Sequence, residues 1–173
     1  ISFPAQTTGT RPYALSGTFA ISPTATASSG LAVTYGSSTT GVCTVSGTTV
    51  TMVAAGTCTI TANQAGNTNY NAATQQTQNV TITATVPGAP TIGTGTSGDA
   101  SASIAYTLNA NTGGVALTKT RATCNPGGIF AEDLSSPFNA INVTGLTNGV
   151  GYTCSVVAFN AQGPSAASGT VSV

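Results

Sequence analysis

Cys58-Thr59-Ile60-Thr61-Ala62, stopped by Asn63, is the stretch whose reading decides the fold. On an extended chain successive side chains point to opposite sides. Cys58, Ile60 and Ala62 therefore share one side, and Thr59 and Thr61 the other. This alternation predicts a half-buried strand, with its apolar side in a core and its threonines facing water. Thr49-Val50-Thr51-Met52-Val53 repeats the pattern, with Val50 and Met52 on the inner side.

Working outward, similar short segments recur. Leu31-Ala32-Val33-Thr34-Tyr35 is ended by Gly36-Ser37-Ser38, and Val42-Cys43-Thr44-Val45 by Ser46-Gly47. An apolar extended run covers residues 1–4, a polar stretch residues 6–9, and a further strand residues 80–83. Later strands are predicted at 91–93, 102–106, 117–124, 141–144, 152–160 and 169–173. Between them lie turn clusters at 109–114 and at Asn125-Pro126-Gly127-Gly128. Short strands separated by turn residues predict a sandwich or barrel. The strong helix formers Glu, Lys and Arg are nearly missing, and the Ala-Ala pairs are too short to nucleate a helix.

Val86-Pro87-Gly88-Ala89-Pro90 divides this series. Each side is the size of a small sandwich domain, so the reading predicts an all-β chain of two tandem β-sandwiches, residues 1–86 and 87–173. The seam is short and proline-rich, which predicts a semi-rigid joint rather than a loose tether.

Composition limits the function. Charged residues make up 3% of the 173, against about 25% in an average soluble protein. The basic residues are Arg11, Lys119 and Arg121, the acidic ones Asp99, Glu132 and Asp133, and there is no His or Trp. Three scattered cations cannot neutralise a run of phosphates or an anionic bilayer, so nucleic acid and charged lipid surfaces are excluded as partners. No stretch approaches the roughly 20 apolar residues of a membrane-spanning helix. At 40% hydrophobic and zero net charge the chain is unlike a disordered one and can build a core. A surface of Thr, Ser, Asn, Gly and Ala then fits two descriptions. One is a tolerant or glycosylated secreted module; the other is a protein meant to associate with its own copies, since uncharged proteins repel one another weakly.

The four cysteines fall two on each side of the seam. They form no C-x-x-C motif, and no His completes a zinc site. Structural disulfides are the expectation, and with them an oxidising, extracellular location, secreted or on the cell surface. Cys43 and Cys58 flank a hairpin turning at Ser46-Gly47-Thr48; a bridge there stabilises by about 3 kcal/mol on the chain-entropy model. Ile1 is not an initiator residue, so the chain is expected to be a mature protein or an excised segment, beginning and ending on strand-like runs.

Residues 1–86 resemble a bacterial immunoglobulin-like repeat of large surface and secreted proteins. The likeness is carried by Ser29-Gly30-Leu31-Ala32-Val33-Thr34-Tyr35, by Val42-Cys43-Thr44-Val45-Ser46-Gly47, by Ala54-Ala55-Gly56-Thr57-Cys58-Thr59-Ile60 and by Gln64-Ala65-Gly66-Asn67-Thr68-Asn69-Tyr70. Residues 87–173 resemble a fibronectin type III domain. Here the carriers are Val143-Thr144-Gly145-Leu146-Thr147-Asn148-Gly149, Tyr152-Thr153-Cys154-Ser155-Val156-Val157-Ala158 and Asn160-Ala161-Gln162-Gly163-Pro164-Ser165. The second resemblance implies that Tyr152 is a corner tyrosine whose hydroxyl bonds to backbone near Leu146. Tyr106 stands where that family usually has a core Trp. Cys154 is in phase with the inward residues Tyr152, Val156 and Ala158, so Cys124 and Cys154 would link the third and sixth strands of this half.

Candidate chemistry is sparse. Glu132 and Asp133 are adjacent and point to opposite faces of a strand, which argues against a paired-carboxylate hydrolase. Without His no Ser-His-acid triad forms. No phosphate loop is present, and clustered calcium carboxylates are lacking apart from Glu132-Asp133. No cofactor is expected. Lys119 and Arg121 share a strand face; they read as a solvated face with Glu132 or Asp133 on the next strand, or as a small recognition patch. Tyr13, Tyr35 and Tyr70 either line a sugar-binding platform or pack half-buried. Asn79-Val80-Thr81 and Asn142-Val143-Thr144 match the N-glycosylation triplet. The Thr-x-Thr runs 57–61 and 81–85 read as outer sheet faces, with a flat ice-binding array as the alternative.

Together these readings predict a non-catalytic structural module or repeat unit of an extracellular bacterial surface, adhesin or matrix-fibre protein. Its partners would be other copies of itself or neighbouring domains, with glycans as a further class. The alternative is a carbohydrate-binding or spacer module of a secreted hydrolase.

Overall fold

The computed structural model describes residues 1–173 and divides into two compact units, Ile1–Thr85 and Val86–Val173. Each unit is a β-sandwich.

In the first unit the strands are β1 (Thr10–Pro12), β2 (Thr18–Ala20), β3 (Thr34–Ser37), β4 (Cys43–Ser46), β5 (Thr49–Met52), β6 (Gly56–Asn63) and β7 (Gln76–Thr83). One sheet runs β1-β7-β6-β3 and the other β2-β5-β4. The order is immunoglobulin-like, including a short first strand laid parallel on the last. Val50 and Met52 from one sheet meet Cys58, Ile60, Ala62, Val80 and Ile82 from the other, closed by Phe3, Phe19 and Ile21. Ser46 pairs with Thr49, so β4 and β5 are joined by a two-residue loop, Gly47-Thr48. Gly47 sits at φ 57, the left-handed region such hairpin loops require.

The second unit comprises β8 (Thr91–Gly98), β9 (Ser101–Thr107), β10 (Leu117–Asn125), β11 (Ile129–Asp133), β12 (Ala140–Thr144), β13 (Thr153–Asn160), β14 (Gly163–Pro164) and β15 (Val171–Ser172). A three-stranded sheet β12-β9-β8 faces the sheet β11-β10-β13-β14, with β15 also on β13. This is a fibronectin type III-like arrangement. Its core joins Ala102, Ile104, Tyr106, Ile141 and Val143 to Ala122, Cys124, Cys154 and Val156.

The two disulfides act differently. Cys43 on β4 and Cys58 on β6 belong to opposite sheets, so their bond crosses the core, with Cα atoms 5.5 Å apart. Cys124 and Cys154 are direct partners on neighbouring strands β10 and β13, the third and sixth of their unit. All four residues are fully buried.

Several local expectations change. The strand expected at 31–35 begins at Thr34 and runs through Gly36 to Ser37. Gly36 does not end it. The residue lies beside Thr61, whose Oγ1 would be 3.1 Å from any Cβ placed there, so the glycine permits a close approach of β3 to β6. Thr61 itself is buried rather than facing water, because β6 is a middle strand flanked by β3 and β7. The strands β1, β2 and β11 escape the sequence pattern. The first two have only three residues each, too few for alternation to register, and β11 carries two acidic residues at its end.

Candidate interaction face

The site is built on the outer face of the β11-β10-β13 sheet. Cys154, Val156 and Ala158 point into the core, so Ser155, Val157 and Phe159 point out. The register then sets three rows across the strands. Phe130, Thr123 and Ser155 form one row; Glu132, Arg121 and Val157 the next; Lys119 and Phe159 the third.

Half of the chain's six charged residues meet in these rows. Glu132 Oε1 accepts from Lys119 Nζ at 2.8 Å, from Arg121 Nε at 2.8 Å and from Arg121 Nη2. These bonds, first from Lys119 and then from Arg121, hold the Glu132 carboxyl below the usual carboxylate range. The cations also lie on aromatic rings. The Arg121 guanidinium carbon is 4.7 Å from the Phe130 centroid and 5.4 Å from that of Phe159, and Lys119 Nζ is 4.9 Å from the Phe159 centroid. Such contacts stabilise by roughly 0.5–1 kcal/mol at exposed sites and orient the cation. Arg11 in the first unit is placed likewise, 4.5 Å above Phe19. Every cation in the chain therefore rests on a phenylalanine.

The face stays open to solvent. Phe130 is 56% exposed, and Lys119 and Arg121 keep 29% and 37% of their side-chain surface exposed. Asp133 does not belong to it. It pairs with the inward Thr120 and accepts from Ser135 N and Oγ at 3.0 and 3.1 Å.

The Tyr152 hydroxyl accepts from the amide of Thr147, next to Leu146, at 3.1 Å, and Leu146 and Tyr152 are both buried. Of the two readings of the three tyrosines, a sugar platform or packed half-buried residues, the structure favours the second for Tyr13 and Tyr35. Tyr13 is buried in the first core, in phase with Arg11, which pairs with Ile82, and its amide bonds to Thr83 O. Tyr35 is half-buried against Phe3, and its hydroxyl accepts from Ala25 N at 2.7 Å. Tyr70 alone is well exposed. They form no shared platform.

Lys119 and Arg121 were legible as a face with Glu132 or Asp133 across from it, and the register selects Glu132. Phe159 and Val157 were not singled out, although the phase set by Cys154 already turns them outward. Phe130 carries no such signal, because the five residues of β11 end in two acidic side chains and show no clear apolar alternation.

No family model matches the chain, and no curated protein does. Among solved structures, a crystal structure of consecutive titin domains is 15% identical, with a TM-score of 0.47 over 97% of this chain and 61% of that one. The titin kinase with its flanking domains is 19% identical, with a TM-score of 0.45 over 52% of this chain and 17% of that one. A fibronectin type III domain of human fibronectin type III domain containing protein 3 is 20% identical, with a TM-score of 0.41 over 51% of this chain and 85% of that one. The chain thus spans less than two thirds of either titin structure. The likeness is distant, and the fold assignment rests on the strand order described above.

Proposed function

We propose that the chain is a non-catalytic structural module of an extracellular bacterial surface, adhesin or matrix-fibre protein, and that copies associate head to tail. The observation that carries this reading is the use of all four cysteines as buried bonds inside two sandwich cores. Buried disulfides of this kind fit an oxidising compartment. The bacterial setting is supported by the repeat-like segments of residues 1–86.

The titratable groups support a structural role. Glu132 is tied to Lys119 and Arg121, Asp133 to Ser135, and Asp99 accepts from Asn148 Nδ2 at 2.7 Å. Each is held by a neighbour within its own unit. Association is supported by zero net charge and by a surface dominated by small uncharged residues. A head-to-tail contact is heterologous and extends into a filament when it does not close.

Electron microscopy of the native material tests the reading. Regular fibres or arrays at the cell surface are expected; dispersed particles in the cytoplasm would overturn it.

A further inference from the structure

From the outer face of β10, β11 and β13 we infer a docking site for an acidic segment of a protein partner, one that presents a carboxylate beside an apolar side chain.

The argument begins with charge. The second unit as a whole is negative, with Asp99, Glu132 and Asp133 against Lys119 and Arg121. This face has the opposite balance, two cations against Glu132 alone, because Asp133 is in phase with the inward Thr120. Glu132 does not exhaust its cations. An Arg guanidinium has five N–H donors and a Lys ammonium three. Two of the Arg121 donors and one of the Lys119 donors reach Glu132; the rest meet no protein acceptor. Oriented donors therefore remain at a solvent-exposed surface, and an incoming carboxylate is their complement.

The aromatic component narrows the partner. The Phe159 ring carries both Lys119 and Arg121, and Phe130 carries Arg121. The ring faces on which the cations lie are not free to stack on sugars, which weighs against a polysaccharide. Exposed phenylalanine beside a half-exposed arginine is instead a composition enriched at protein–protein interfaces. Leu134, 71% exposed just past β11, extends the apolar part.

Docking here depends on unlike charges and weakens with salt, whereas association of copies through uncharged surfaces would not, so the two are distinguishable.

The test titrates isotopically labelled full-length protein with a synthetic peptide of repeated Glu-Glu-Ile-Ile, which sets Glu and Ile side by side on each face of an extended chain, and follows backbone amide shifts by NMR. Shifts confined to residues 119–123, 129–134 and 155–159 are expected, abolished when the peptide's Glu residues are replaced by Gln and weakened in molar salt. Arg121→Gln should lower affinity at least tenfold. Glu132→Gln should raise it severalfold, because it frees both cations. That gain is a readout that loss of folding cannot imitate. Absence of shifts on this face with the acidic peptide would overturn the inference. So would binding of polygalacturonate in the peptide's place, or an affinity unchanged by Glu132→Gln.

Discussion

The Tyr106 hydroxyl lies 2.6 Å from Thr120 Oγ1, and both residues are buried between the sheets of the second unit. A tyrosine thus fills a place expected to hold tryptophan, and its polar end is satisfied by an inward threonine from the facing sheet. Tyr106→Phe removes one partner and leaves the Thr120 hydroxyl buried without it. A loss of about 1–3 kcal/mol is expected, read by chemical denaturation. The double variant Tyr106→Phe with Thr120→Val should recover part of that loss, because both polar groups are then gone.

Burial raises the Tyr106 pKa above the ordinary 10.0; its bond to Thr120 opposes this and the Asp133 charge adds to it. The folded state therefore favours the neutral phenol. Stability is fully present below the unfolded value and falls as pH rises from there through the raised folded value. Denaturation midpoints measured above pH 10 should decline more steeply for the native protein than for Tyr106→Phe.

Glu132 has the opposite sign. Its folded pKa is depressed by hydrogen bonds from Lys119 and Arg121, below the ordinary 4.5. The stabilisation is present above the unfolded value and is lost as pH falls through the lower folded value. Glu132→Gln should remove this acid-side dependence and lower the midpoint at neutral pH by the same small amount, since exposed ion pairs contribute little. Midpoints on a pH series below 5 check it.

The two bridges should differ slightly in worth. On the chain-entropy model, a separation of 15 residues contributes about 3 kcal/mol and one of 30 about 3.6 kcal/mol. Replacing Cys43 and Cys58 by Ala should therefore destabilise the first unit a little less than replacing Cys124 and Cys154 destabilises the second. Calorimetry of the full chain, with one transition lowered in each variant, measures both.

Much of the fold was legible because strand alternation survives in the longer strands. Cys58, Ile60 and Ala62 are all fully buried, as their phase predicts. The pairing of Cys124 with Cys154 followed from the resemblance together with phase. What escaped was set by partners distant in sequence. The three residues of β1 become a strand only by lying parallel on β7, where Arg11 pairs with Ile82. Tyr13 is turned inward by the same contact, which no local pattern encodes. Thr61 is buried by the strands on either side of it. The interaction face was half visible: its cations share a face through their two-residue spacing, Phe159 is turned outward by the phase of Cys154, and Phe130 joins them only through the register of β10 with β11.

The central proposal is that these are sparsely charged, disulfide-pinned sandwiches whose copies associate. Sedimentation velocity of the oxidised protein across a concentration series up to millimolar tests it most directly. The account predicts a sedimentation coefficient that climbs steadily with concentration, as open-ended assembly requires, and persists in molar salt. A single monomeric boundary at every concentration would contradict it.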